Sequence, residues 1–175
     1  MNKLSFSLLM LLCFFYSCNS NKVDFAIVVH GGAGTILKKN MSDEMELAYK
    51  LKLEEAINAG YNILEKNGSS KDAVEETIKI LENSELFNAG KGSVLSNKGV
   101  VEMDASIMNG QNLNAGAISG IKTIKNPISA ARLVMEKSEH VFLSGEGAEE
   151  FAKLQGLDII NNEYFITETR LKSGS

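Results

Sequence analysis

The stretch Leu86–Ala117, LFNAGKGSVLSNKGVVEMDASIMNGQNLNAGA, constrains this chain more than any other. Glycines and the turn signals Asn97-Lys98-Gly99 and Asn109-Gly110 cut it into short pieces, and such turns favour strands that fold back on one another. Ser93–Ser96, Val100–Met108 and Leu113–Ile118 are therefore expected to form an antiparallel meander. Along the second piece Met103, Ala105 and Ile107 alternate with Glu102, Asp104 and Ser106. A period of two sends those sets to opposite faces of a sheet. The block holds no obvious nucleophile, and its glycine turns suit the positioning of a neighbouring group.

What flanks the block decides the fold class. Phe25–Val29 is a continuous apolar run that reads as a buried strand, ending in His30-Gly31-Gly32-Ala33-Gly34. Ser42 is placed to cap a long helix, with Asp43, Glu44 and Glu46 in its first turn. Its apolar side is expected to carry Ala48, Leu51, Ala56, Tyr61 and Leu64, and Asn67-Gly68 to stop it. Ser69 opens a second helix with Ala73, Val74, Thr77, Ile78 and Leu81 as its stripe. Beyond the block, Asn126-Pro127 starts another helix with Asn as cap. His140–Ser144 reads as a short strand and Gly147–Leu154 as a helix stopped by Gly156. Two helices in succession after one strand exclude simple βαβ alternation, so the expectation is an α/β chain of the α+β type.

The N-terminus has a different character. Lys3 precedes an apolar run from Leu4 to Ser17, shorter than the roughly 20 residues a membrane span needs. Residues 1–17 therefore read as a secretory signal peptide. Ser17-Cys18 resembles a lipoprotein cleavage box from which Phe15-Tyr16 departs, so the expectation is export to the periplasm or cell envelope, either with Cys18 as a lipid-anchored first mature residue or by ordinary signal cleavage. Residues 18–24 form a tether, 25–160 the folded domain and 161–175 a polar linker. The two cysteines are Cys13 and Cys18, which leaves the body without a thiol ligand, disulfide or Cys nucleophile. A net charge of -4 with no basic stripe argues against nucleic acid as a partner.

Few side chains offer chemistry. His30 reads as a strand-end histidine bonded to its own loop. The Gly31–Gly34 loop lacks both G-x-G-x-x-G and a following Gly-Lys-Ser/Thr, so a tight turn fits it better than phosphate binding. Glu102 and Asp104 fit an exposed or salt-bridged strand face better than an acid–base pair. The loop from Leu81 to Gly92 can turn carbonyls towards a hard cation or be an ion-free turn, and periodicity does not choose between them. Asn88, between Phe87 and Ala89-Gly90, is suited to fixing a neighbouring group.

Three blocks, IVVHGGAGT, LFNAGKGSVLSNKGVVEMDASIM and NAGAISGIKTIKNPISAARLVMEKSEHVFLSGEGAEEFA, resemble in order the N-terminal half of isoaspartyl peptidase/L-asparaginases. These are plant-type asparaginases, of the N-terminal nucleophile hydrolases. The resemblance spans residues 25–168, and HGGAG favours this branch over the glycosylasparaginases. It implies half of an αββα sandwich, with a mainly antiparallel sheet and helices on one side. It also implies a precursor that cuts itself into α and β subunits, paired as αβ and assembled as (αβ)2. The new N-terminal Thr of β is the family's nucleophile, with its own amine as base. The implied substrates are β-aspartyl dipeptides and L-asparagine, with no catalytic cofactor.

The family's Gly-Thr-Val-Gly cleavage run is absent here, and neither Thr167 nor Thr169 is followed by Val-Gly. The chain is thus expected to be α-like and inactive alone, whether as the N-terminal part of such a hydrolase, a fragment, or a subunit needing a separate β. The resemblance implies three supporting features. Asn88 helps orient the nucleophilic Thr. The backbone carbonyls of Leu81, Glu82, Ser84, Phe87, Ala89 and Lys91 hold a structural sodium ion. His30, Gly31, Gly32 and Gly34 form a glycine loop associated with folding and autoprocessing.

Overall fold

The structure is a computed structural model that describes residues 24–32 and 41–173. The expected signal peptide, Cys18, Gly34 and the last two residues lie outside the described residues. The described elements are α1 (Asp43–Glu65), α2 (Ser70–Glu82), β1 (Met103–Met108), β2 (Ala115–Ile121), α3 (Pro127–Lys137), β3 (Phe142–Ser144), α4 (Gly145–Leu154), a 3-10 turn (Asn162–Phe165) and α5 (Glu168–Ser173).

The helix starts follow their caps. Ser42 Oγ accepts the Met45 N–H at 3.2 Å and Ser69 Oγ the Asp72 N–H at 3.1 Å, satisfying donors that the first turn leaves open. Asn67, with φ 60°, ends α1 as expected. The buried side of α1 differs from the expected one. Leu51 and Tyr61 are exposed, whereas Tyr49 and Leu53 pack around buried Ala56 beside Leu81 and Phe87, and Gly60 is buried. Positions 49, 53, 56 and 60 keep the 3.6-residue period, which the step from 51 to 56 breaks.

β1 and β2 pair antiparallel, and β3 adds to β2 in parallel through the α3 crossover, giving the sheet order β1-β2-β3. The meander's first piece contributes one bridge, Leu95 to Val101. A register shift between Met103 and Ala105 marks a bulge in the opposite strand, where Asp104 Oδ1 accepts the Gly120 N–H at 2.8 Å. Met103, Ile107, Ile118 and Ile121 face a core shared with Ile128, Ala131 and Val134 of α3 and Ala148 and Ala152 of α4. Glu102, Asp104, Ser106 and Met108 are exposed. The result is a mixed α/β fold with helices on one side of the sheet, consistent with half of an N-terminal nucleophile hydrolase sandwich.

Two expectations are corrected. Residues 25–29 form no strand pairing among the described residues, and they are not fully buried. Phe25, Ile27 and Val29 are half-buried while Ala26 and Val28 are exposed, Val28 at 89 %. Phe25 packs its ring on Tyr61 at 5.1 Å, and Val29 joins the Ala56–Leu81–Phe87 cluster. Among the described residues the helix pair and Phe87 of the following loop cover one face of this segment.

The stretch from residue 161, expected to be a polar linker, is fastened to the body through residue 167. Asn162 accepts the Val101 N–H at 3.0 Å and donates to the Val101 and Lys122 carbonyls at 2.8 and 2.9 Å. Phe165 is fully buried and Thr167 nearly so. The stretch is polar in composition, but Phe165, with Ile166 packed beside it, anchors it to the core.

Candidate functional site

The loop between α2 and β1 closes on itself. Lys91 N–H donates to the Glu82 carbonyl at 2.7 Å and Ser84 N–H to the Leu81 carbonyl at 3.1 Å. Asn88 Oδ1 accepts the Val94 N–H at 2.9 Å. The Asn88 amide nitrogen, at an exposed residue, has no partner among the described residues. Its donors are therefore available to a group brought alongside. Tyr49 braces the loop from α1, donating its hydroxyl proton to the Leu86 carbonyl at 2.7 Å and meeting the Phe87 ring edge-on at 5.5 Å.

The glycine loop comes to the same place. A Cβ on Gly31 would lie 3.3 Å from both Leu53 and the Phe87 ring, so residues 30–32 pass against the α2–β1 loop. His30 Nδ1 accepts the Gly32 N–H at 3.2 Å, the local bond expected of it, and His30 is exposed. Two blocks separated by more than fifty positions thus meet at Phe87.

Gly90 and Gly92 have φ of +53° and +104°. A Cβ at Gly90 would overlap the Glu82 carbonyl oxygen, and one at Gly92 would lie 2.7 Å from the Glu85 carbonyl oxygen and 3.0 Å from that of Phe87. Both glycines thus line a cradle of peptide oxygens that side chains would fill. The carbonyls of Ser84, Phe87, Ala89 and Lys91 accept no hydrogen bond within the described residues. Neutral oxygens of this kind are chemically compatible with the hard monovalent cation that the resemblance implies, while the Leu81 and Glu82 carbonyls of that set already accept the Ser84 and Lys91 N–H groups. Among the described residues no cluster of His, Cys, Asp and Glu is placed to hold a metal.

Glu82 has a role that sequence reasoning missed. Its side chain is 3 % exposed, and its carboxylate accepts the Ile128 N–H at 2.8 Å and the Asn126 amide at 3.1 Å. Asn126, expected to cap α3, makes no side-chain cap and donates instead to Glu82 and Asn83. Glu82 therefore caps α3 from the end of α2. Burial pushes its carboxyl up to about 7, against the opposing effect of these two hydrogen bonds. No local sequence signal marks a cap supplied from 46 positions away.

Thr167 and Thr169 are built into structure. Thr167 Oγ1 accepts the Arg170 N–H at 3.3 Å and its carbonyl the Leu171 N–H at 3.0 Å, which makes it the cap of α5. Glu102 pairs with Lys122 at 3.3 Å on the exposed strand face. The site as described presents unused amide donors of Asn88 beside a loop of backbone carbonyls. It contains no nucleophile–base pair.

The comparisons with known proteins agree with this architecture. The family model described as Asparaginase matches residues 23–173. The isoaspartyl peptidase/L-asparaginase of Xenopus laevis is 49% identical over 146 residues, which is 83% of this chain and 46% of that protein. The plant-type L-asparaginase of Thermococcus kodakarensis is 54% identical over 148 residues, 84% of this chain and 45% of that protein. The isoaspartyl peptidase of Salmonella typhimurium is 45% identical over 144 residues, 82% of this chain and 46% of that protein. The chain spans just under half the length of these relatives. With its glycine loop, its Asn88 loop and its helix-backed sheet in one ordered match, the chain belongs to the asparaginase family.

Proposed function

We propose that the protein built on this chain hydrolyses L-asparagine and β-aspartyl peptides through a threonine nucleophile supplied by sequence outside these 175 residues. The observation that carries this reading is the family match over residues 23–173, and the braced Asn88 loop with its unused amide donors supports it. In this reading Asn88 orients the threonine and the α2–β1 loop holds a structural sodium ion on the carbonyls of Leu81, Glu82, Ser84, Phe87, Ala89 and Lys91. The ion supplies rigidity to the loop and no redox or acid–base chemistry.

The nucleophile's absence from this chain is supported by the fates of Thr167 and Thr169, one a cap and the other within α5. A β-subunit partner, in an αβ or (αβ)2 assembly, is supported by large apolar side chains left in water. Val28, Met108 and Phe142 are 89, 60 and 53 % exposed, apolar surface that a partner subunit would cover. Export and lipid attachment at Cys18 complete the reading. Labelling with a fatty-acid analogue tests that part: incorporation should vanish in Cys18→Ala, and equal labelling of both forms would contradict it.

The enzymatic part is tested by aspartate release. Purified chain alone should release none from L-asparagine or a β-aspartyl dipeptide above a mock preparation. Turnover by the chain alone would overturn the placement of the nucleophile elsewhere.

A further inference from the structure

Gly92 is held from two sides by the segment that follows α4. Its N–H donates to the Phe165 carbonyl at 3.0 Å, and its carbonyl accepts from Arg170 Nε at 2.6 Å. Beside it, Lys91 Nζ lies 5.7 Å from the Tyr164 ring centroid, within cation–π range. The segment is itself fixed: Phe165 is fully buried, Asn162 bonds Val101 and Lys122, and Thr167 caps the turn that carries Arg170. Gly92 in turn sits inside the six-residue span that the Val94 N–H closes onto Asn88 Oδ1.

We propose that residues 162–170 form a strap over the α2–β1 loop, and that Arg170 is a positioning residue which sets the placement of Asn88 through Gly92. The order of contacts carries this. Asn88 touches Val94; Gly92 lies between them; Phe165 and Arg170 take both backbone groups of Gly92. The Arg170 Nε–H donates to the Gly92 carbonyl as a charge-assisted hydrogen bond, stronger than a neutral one. The sequence separation is 78 positions, so the contact transmits the packing of the chain's last described turn to the loop near its middle. The consequence for turnover rests on the proposed hydrolase reading; the strap itself does not.

The test uses amide hydrogen exchange on the chain carrying Arg170→Met or Arg170→Lys. With Met, exchange at Gly92 and Val94 should rise by about tenfold or more while the β1–β2 amides of Ser106 and Ala117 keep their wild-type rates. Lys, which still donates one hydrogen bond, should restore most of the protection. Unchanged exchange at Val94, or an equal rise throughout β1 and β2, overturns the strap.

The second measurement pairs the chain with the portion of the Salmonella typhimurium relative that lies outside the match. Here Arg170→Met should lower kcat by roughly tenfold with KM little changed, as misplacement of a positioning group does. An unchanged kcat with a loosened loop overturns the positioning role. If the wild-type pair releases no aspartate, the hydrolase reading falls and the exchange data still decide the strap.

Discussion

The Glu82 carboxylate, on the last residue of α2, accepts the backbone N–H of Ile128 in the first turn of α3 at 2.8 Å, in a site closed to water. One side chain thus ends one helix, begins another and joins the loop core to the sheet core. Its burial dominates its titration, holding the carboxyl near 7 against 4.5 in the unfolded chain.

The sign of the pH effect follows from that shift. Between pH 4.5 and about 7 the folded chain keeps a proton on Glu82 that the unfolded chain has lost, so stability falls as pH rises through this window and levels off above it. The loss is at most about 3 kcal/mol, from 1.36 kcal/mol per unit. Asp72 and Glu136 are shifted down, Asp72 chiefly by Ser69 and Glu136 chiefly by Lys71, and they act only below this window. Urea unfolding at pH 5 and pH 8 should show the decline in wild type and its absence in Glu82→Gln. The same slope in both forms would contradict the assignment.

Arg132 gathers three carboxylates across α2 and α3: Glu75 at 2.6 Å, Asp72 at 2.7 Å and Glu136 at 3.2 Å. Glu75 is 16 % exposed and also accepts the Ser129 hydroxyl at 2.5 Å. Removing the cation leaves that half-buried charge poorly compensated. Arg132→Met should cost about 1–3 kcal/mol, between the surface and buried limits for ion pairs. Arg132→Lys should recover less than half of it, because an ammonium cannot fork to three partners. Thermal melts of both variants check this.

Gly90→Ala adds a Cβ against the Glu82 carbonyl oxygen at a φ of +53°. The left-handed backbone alone costs about 1–2 kcal/mol. The variant should also lose the response to sodium. Replacing choline chloride by sodium chloride at equal ionic strength should raise the wild-type melting temperature, as ligand binding to the native state requires, and leave Gly90→Ala unmoved. A wild-type melting temperature indifferent to sodium would remove the ion from the account.

Phe165 should behave as core and Leu171 as surface. Phe165→Ala is expected to cost about 3–5 kcal/mol, the range for buried aromatic truncation. Leu171 is 54 % exposed, and its alanine variant should stay within about 0.5 kcal/mol. Similar losses in both would show that residues 161–167 are not fastened as described.

Local chemistry was legible where it acts over a few residues. Ser42, Ser69 and Asn67 behave as their side chains and backbone preferences dictate, whereas the turn after β1 falls at Asn109-Gly110 but places its positive φ at Leu113. The alternation of Met103, Ala105 and Ile107 reported the covered face of β1, because a strand's period of two is independent of its partners. Residues 25–29 misled because an apolar run reports what a segment can bury, and among the described residues one face of it is covered, by α1, α2 and Phe87. The stripe of α1 was misread through Leu51 and Tyr61, which are large and apolar yet stand off the helix's packed side. Glu82, Asn162 and Arg170 were illegible for one reason. Each acts across 40 or more positions, on backbone groups that carry no sequence mark. Asn88 stood out by its residue type, its partner came only through resemblance, and in the structure its Oδ1 holds the Val94 N–H.

The central claim is that Asn88 serves a threonine hydrolase site completed from outside this chain. Pairing the chain with the unmatched portion of the Salmonella typhimurium isoaspartyl peptidase, confirming assembly by size, and following aspartate release from a β-aspartyl dipeptide tests it most directly. The account predicts turnover by the pair, none by either part alone, and a kcat reduced by at least about tenfold in Asn88→Ala. Turnover by this chain alone, or an assembled pair in which Asn88→Ala matches wild type, would contradict it.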